Sequence, residues 1–424
     1  MDLQKTPHRS PLCLVPEFAA PYTGSPWTNR KKSDNFFQYE KTFRKHVCSR
    51  NIFERNVVVI RKDLPCAAPC FRPPEISGLV WKAVTPSDVE GRGWKDTAAP
   101  FDRMPPRAEK LLPAVWSNCH SATGMCFEFS TDSTSVAVRT ELGEEAYGER
   151  NFNATAHSGV DLYVWDERQA RWRWASATQH FVTFARITEY ALVWNLSPKK
   201  RRYRMYLPFR NQILSLAVGY DEDATLQLHP PRQTPPLVYY GTSIIHGAFC
   251  TRAGLGVPQI LGRALDIPVI NLGFSGAARM DLEMASFLTE IDAGMYVCDA
   301  YHNMSTQLVR DNAEKFIVRL CTLRPGTPLF VLGAPPVLNA WLYPDIQAEE
   351  DEKNRLFAEI SAPLEKRFPN FHFIPGEDFY GSDDVSVDGI HPNDQAFAHM
   401  ADALAPILAP FAQTLKSGNH LKHE

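Results

Sequence analysis

The sequence predicts two architectures in one chain: an all-β sandwich, then an α/β/α fold layered around a parallel sheet. Three observations carry this reading. From about Gly78 to Leu228, apolar and polar residues alternate in short runs with almost no helical period. The proline-rich stretch "HPPRQTPP", 229–236, then breaks the pattern. Beyond it, short wholly apolar runs alternate with amphipathic segments, as expected of strands covered by helices on both faces.

Composition bounds what such a chain does. Its 424 residues suit two domains, and 44% hydrophobic with 22% charged residues is typical of globular proteins. A net charge of −3 gives no general attraction to nucleic acid or to an anionic membrane. No apolar run approaches the roughly 20 residues that span a bilayer. The amino-terminal residues lack the continuous apolar core of a secretory signal, so a cytoplasmic location is expected. Nine cysteines is an odd number, and Cys126 and Cys298 sit inside apolar runs. Free thiols explain that more simply than a disulfide framework. Cys66 and Cys70 have no second pair at metal spacing, and no metal or cofactor is expected.

In chain order, residues 1–76 read as an irregular, basic extension dotted with prolines. Residues 77–229 read as the sandwich, of jelly-roll type. There "MCFEFSTDSTSVAVRTEL" predicts a hairpin turning near Thr131 to Ser133. "GVDLYVWDERQARWRWA" repeats the pattern, with its turn at 166–170 and Trp172 and Trp174 on one face. "EYALVWNLSPKKRRYRMYLPF" and "ILSLAVGYDEDATLQL" continue the series. Residues 230–236 form a linker, 237–412 the layered domain and 413–424 a polar tail. In the layered domain, strands are expected at 237–240, 268–272, 295–299, 328–332 and 371–374. Leu356, Ile360, Leu364 and Phe368 mark one of its helices.

The stretch "LVYYGTSIIHGAFC" poses the functional question. An apolar strand ends in Gly-Thr-Ser, where Thr242 and Ser243 could cap a helix or Ser243 could be a nucleophile. Parallel strands share one carboxyl edge, so the residues just past each strand can converge. Gly276 comes after the second strand in "GFSGAAR", Asn303 after the third in "DAYHNM", and "SVDGIHPND" places Asp388 three residues before His391. A serine hydroxyl needs a base, and a histidine serves if a carboxylate orients it. The developing oxyanion needs donors, which the Ser243 amide, the Gly276 amide and the Asn303 side chain could supply.

These blocks, in this order, resemble the SGNH (GDSL-type) hydrolases, and the resemblance runs from about Tyr239 to Pro410. It implies a flavodoxin-like α/β/α domain with Ser243 as nucleophile, His391 as base and Asp388 as its orienting acid. It also implies an oxyanion hole of Ser243, Gly276 and Asn303, with no metal. "SGVDLYVW" is similar to the Gly-x-Asp-Leu-Tyr signature of a β-sandwich that precedes one branch of such esterases. Thr242 stands where the better-known pattern has Asp, and Ala277 where a polar residue is common. The expected activity is ester hydrolysis, on a small acyl ester or an O-acetylated sugar. A non-catalytic carbohydrate-binding protein and an O-acyltransferase using the same serine are the alternatives. His246, His302 and Arg279 are candidate substrate contacts, although a core or surface role is the commoner fate of such a histidine. Every residue of this mechanism lies after Pro236, so the sandwich is expected to restrict substrate rather than to take part in the chemistry.

Overall fold

Alternating runs become strands whose alternate side chains share one face. The computed structural model describes residues 57–59, 77–178 and 185–418; the basic amino-terminal stretch, Cys66 and Cys70 lie outside the described residues. All described residues fall in one contact unit, Glu54–Glu424.

The alternating half forms two five-stranded sheets. The first comprises β1 (Val57–Val59), β2 (Leu79–Ala83), β4 (Val136–Leu142), β7 (Ile187–Val193) and β9 (Ile213–Asp221), in the order β1-β7-β4-β9-β2. The second comprises β3 (Cys126–Thr131), β5 (Asp161–Asp166), β6 (Arg171–Ala177), β8 (Arg201–Tyr206) and β10 (Leu226–Leu228), in the order β10-β3-β8-β5-β6. All pairs are antiparallel except β1 with β7. Phe127, Phe129 and Met205 of one sheet pack with Val138, Leu216 and Val218 of the other.

The expected hairpin near Thr131 is corrected by this topology. β3 and β4 do not pair with each other: β3 pairs with β8 and β10, and β4 with β7 and β9. Their connection crosses from one sheet to the other, and so do those from β7 to β8 and from β9 to β10. Only β5 and β6 pair directly as expected, around the turn at 167–170. Alternation determines which side chains face inward, but a polar turn between two runs looks the same whether the chain folds back or crosses over.

In the second half, β11 (Leu237–Gly241), β12 (Val269–Gly273), β13 (Met295–Asp299), β14 (Leu329–Leu332) and β15 (Phe371–Ile374) form a wholly parallel sheet. Its order is β12-β11-β13-β14-β15. After β11 comes a single-turn helix, α1 (Ser243–His246), followed by α2 (Val257–Ala264), α3 (Leu282–Leu288), α4 (Thr306–Leu323), α5 (Pro344–Arg367) and α6 (Asp394–Lys416). Val238 and Tyr240 face a core with α3, α4 and α5, while Leu237 and Tyr239 face one with α2 and α6. Both faces are dry, which is why these strands read as unbroken apolar runs. β11 lies between β12 and β13, so the end of β11 is the topological switch point, where open sheets bind ligands.

The two halves share a core. Trp94, Met104, Leu112, Val115 and Cys119 lie between β2 and β3 in sequence, yet pack under the parallel sheet with Ile270, Leu272 and Phe287.

Candidate active site

The turn after β11 satisfies both readings of its sequence. Thr242 is the N-cap of α1, its hydroxyl accepting the Ile244 amide at 3.3 Å. Ser243 is the first helical residue, so no intrahelical bond occupies its amide. Gly241 is required by space: a side chain there would run into Ile245 and the Asp299 carbonyl.

Ser243 Oγ lies 2.7 Å from His391 Nε2, although the two residues are 148 apart in sequence. On the far side of the ring, His391 Nδ1 lies 2.8 Å from Asp388 Oδ2. The Asp388 carboxylate also accepts the His391 amide at 2.9 Å and the Ile390 amide at 3.2 Å. Burial acts to raise the Asp388 pKa, but the His391 amide and ring outweigh it and hold the carboxyl below its ordinary value. An ionised Asp388 keeps its proton-bearing partner at Nδ1, which leaves Nε2 to accept from Ser243. The linear array Ser–His–Asp is complete.

Gly276 sits in the loop after β12 at φ +68°, a left-handed conformation that glycine adopts without strain. Asn303 ends a 3-10 turn after β13. The amide orientation that satisfies its neighbours puts the Asn303 oxygen on the Ala277 and Ala278 amides, at 3.3 and 3.2 Å. In that orientation its N–H groups remain for another acceptor. Ser243, Gly276 and Asn303 thus all lie past the carboxyl ends of adjacent parallel strands.

The three candidate substrate contacts separate. His246 does not reach a substrate site: it is fully buried, with Nδ1 3.0 Å from Ser275 Oγ and Nε2 3.0 Å from the Phe209 carbonyl. A carbonyl can only accept, so Nε2 carries the proton and Nδ1 accepts from Ser275. Burial and the Arg103 charge keep this ring neutral. Arg279 is exposed and folds its guanidinium back onto the Gly276 carbonyl at 3.0 Å. His302 adjoins Asn303, and its Nε2 is buried with no hydrogen-bond partner among the described residues. Burial pushes its pKa down to about 3, with Lys353 and His391 adding to the effect.

Sequence reading missed the residues that come from the sandwich side. Arg103 is fully buried and donates to the Gly273 carbonyl at 2.5 Å and the Asn118 carbonyl at 2.5 Å. Its guanidinium lies 4.6 Å from the Phe274 ring centre, at the root of the loop that carries Gly276. Burial depresses its pKa to about 9. The signature residue Asp161 accepts from Arg252 at 2.7 Å, the Gly254 amide at 2.8 Å and the Trp174 indole at 2.9 Å. Arg252 also donates to the Tyr163 hydroxyl at 2.9 Å. Nothing in the local sequence around Arg103 marks it. The Asp161 signature was visible, but its partner at Arg252 was not.

The fold is an α/β/α layering whose switch point brings Ser243, His391 and Asp388 together. Residues 234–409 match the GDSL-like lipase/acylhydrolase family, and residues 79–226 match the N-terminus of SGNH-hydrolase-type esterases. The chain thus carries a GDSL-like lipase/acylhydrolase domain, preceded by an N-terminal domain of the SGNH-hydrolase esterase type. It is similar to a protein described as a GDSL-like lipase from Bacteroides ovatus ATCC 8483, at 25% identity and a TM-score of 0.72, over 79% of this chain and 98% of that one. The salicylyl-acyltransferase SsfX3 of a tetracycline biosynthetic pathway shares the fold at 18% identity and a TM-score of 0.62, over 78% of this chain and 97% of that one. A family two carbohydrate esterase from Cellvibrio japonicus does so at 12% and 0.50, over 80% and 99%. The chain has no match among curated proteins. No helix among the described residues is long and apolar enough to cross a membrane.

Proposed function

We propose that this chain cleaves a carboxylic ester through an acyl-serine intermediate. The observation that carries the reading is the 2.7 Å approach of Ser243 Oγ to a His391 ring whose other nitrogen is held by Asp388. His391 takes the proton as Ser243 Oγ bonds to the ester carbon. The oxyanion is met by the Ser243 and Gly276 amides and the Asn303 side chain. The tetrahedral adduct collapses, the C–O bond to the alcohol breaks, and His391 returns the proton to the leaving oxygen. Water, deprotonated by His391, then releases the acid. The substrate is a small acyl ester or an O-acylated carbohydrate, and the buried free thiols Cys119, Cys126, Cys250, Cys298 and Cys321 fit a reducing compartment.

The test is an assay of the full chain on nitrophenyl acetate, on longer acyl esters and on acetylated xylan, with and without an alcohol acceptor. Ser243→Ala should reduce turnover by at least about 10³-fold with unchanged circular dichroism. Wild-type turnover in that variant would remove Ser243 as nucleophile. Product ester formed in preference to free acid would identify an acyltransferase.

A further inference from the structure

The segment just past α1 is held in a conformation its sequence does not favour. Phe249 has φ +66°, a left-handed backbone that is a genuine outlier for a bulky residue. Strain of this kind persists only where the surroundings impose it, and here they are identifiable. The Phe249 amide donates to the Asn151 carbonyl at 2.7 Å. The Asn153 side chain donates to the Cys250 carbonyl at 2.8 Å. Thr251 bonds Asp394 through its amide at 2.9 Å and its hydroxyl at 2.5 Å, and Asp394 opens α6 three residues after His391. Arg252 and Gly254 end on Asp161. Residues 249–254 therefore form a strap, tied on one side to the sandwich and on the other to the start of α6.

What the strap delivers is the Phe249 ring, tilted against the His391 imidazole with centres 5.4 Å apart. The His391 ring is held at Nδ1 by Asp388 and at Nε2 by Ser243, but these bonds lie near the ring plane and leave tilting about the line between them open. A ring packed against the imidazole closes that freedom. We propose that Phe249 is a positioning residue for His391, and that the sandwich takes part in catalysis by forcing Phe249 into its strained backbone through Asn151 and Asn153. The proposal rests on the reading of His391 as the base, and it replaces the expectation that the sandwich acts on substrate choice alone.

The informative variant is Phe249→Gly, which removes the ring and relieves the backbone strain together. With nitrophenyl acetate and the full chain, kcat should fall roughly 10- to 100-fold while KM changes less than about threefold. Phe249→Tyr should restore at least about half of kcat, and Asn153→Ala should reproduce part of the loss. A kcat within about twofold of wild type would overturn the proposal, and so would a change confined to KM, which would make the ring a substrate wall. If Phe249→Gly does not fold, Phe249→Leu and Asn153→Ala carry the same two readouts. Ser243→Ala in the same series separates the outcomes: its inactivity beside an unaffected Phe249→Gly defeats this inference alone, whereas its activity defeats the nucleophile assignment.

Discussion

Two aspartates, both fully buried, end up in opposite circumstances in the two halves of the molecule. Asp161, on the sandwich strand β5, has three donors, one of them the Arg252 guanidinium. Asp299, at the end of the parallel strand β13, has no hydrogen-bond partner on either oxygen among the described residues. Burial raises both carboxyl pKa values. At Asp161 the Arg252 charge and the Gly254 amide pull the other way, whereas at Asp299 nothing opposes burial and the value reaches about 7. The first aspartate ties the halves together. The second sits beside the turn that carries Ser243, its backbone carbonyl accepting the Thr242 amide at 3.0 Å, and is stored as an uncompensated group. Strained or unsatisfied groups of this sort gather at functional sites.

The largest effect is expected from breaking the satisfied member. Asp161→Ala leaves the Gly254 amide and the Trp174 indole without their acceptor and Arg252 without its counter-charge, and should cost about 3–5 kcal/mol in urea unfolding. A loss below about 1 kcal/mol would mean that the sandwich contact does not depend on it.

Asp299→Asn should act in the opposite direction. The unfolded carboxyl titrates near 3.8 and the folded one near about 7, so between those values the folded state holds more protons. Wild-type stability therefore falls as pH rises from about 4 to about 7 and levels off above. The Asn variant, free of that titration, should be more stable at pH 8 by on the order of 4 kcal/mol, with the gap closing by about pH 4. Thermal unfolding across pH measures it, and a gap independent of pH would show that Asp299 does not titrate in this range.

The smallest effect compares two tyrosines. Tyr163 accepts from Arg252 at 2.9 Å, while the Tyr239 hydroxyl is buried without a partner among the described residues. Tyr163→Phe should cost about 1 kcal/mol, and Tyr239→Phe should cost nothing or stabilise slightly. Equal losses in chemical denaturation would erase the contrast between the two halves.

Legibility divides along the same line. Met295–Asp299 and Phe371–Ile374 are readable from sequence with their full boundaries, and the other three parallel strands to within a residue. Each is an apolar run with its own local end. The Asp388–His391 pair is equally readable, because three residues across a glycine turn can close on themselves. The sandwich strands are locatable but easily misjoined, since pairing partners such as β4 and β9 lie far apart in sequence. His246 suggests a substrate contact because it stands three residues from Ser243; the turn of α1 instead points it into the core, toward Phe209 and Ser275. Arg103 is invisible, because an arginine in a loop is ordinarily solvated and only the packing of the 94–119 segment under the sheet dries it.

By itself, the sequence determined the strand runs of the parallel sheet, the order of the blocks that succeed them, and the glycines at 241 and 276. Periodicity and backbone preference act over a few residues and survive in any context. Only the tertiary structure decided which sheet each sandwich strand joins, that Ser243 meets His391 across 148 positions, and that Asn151 and Asn153 hold Phe249 against that histidine. Those contacts exist between residues that water would otherwise separate, and their strength comes from the desolvation that the assembled halves impose.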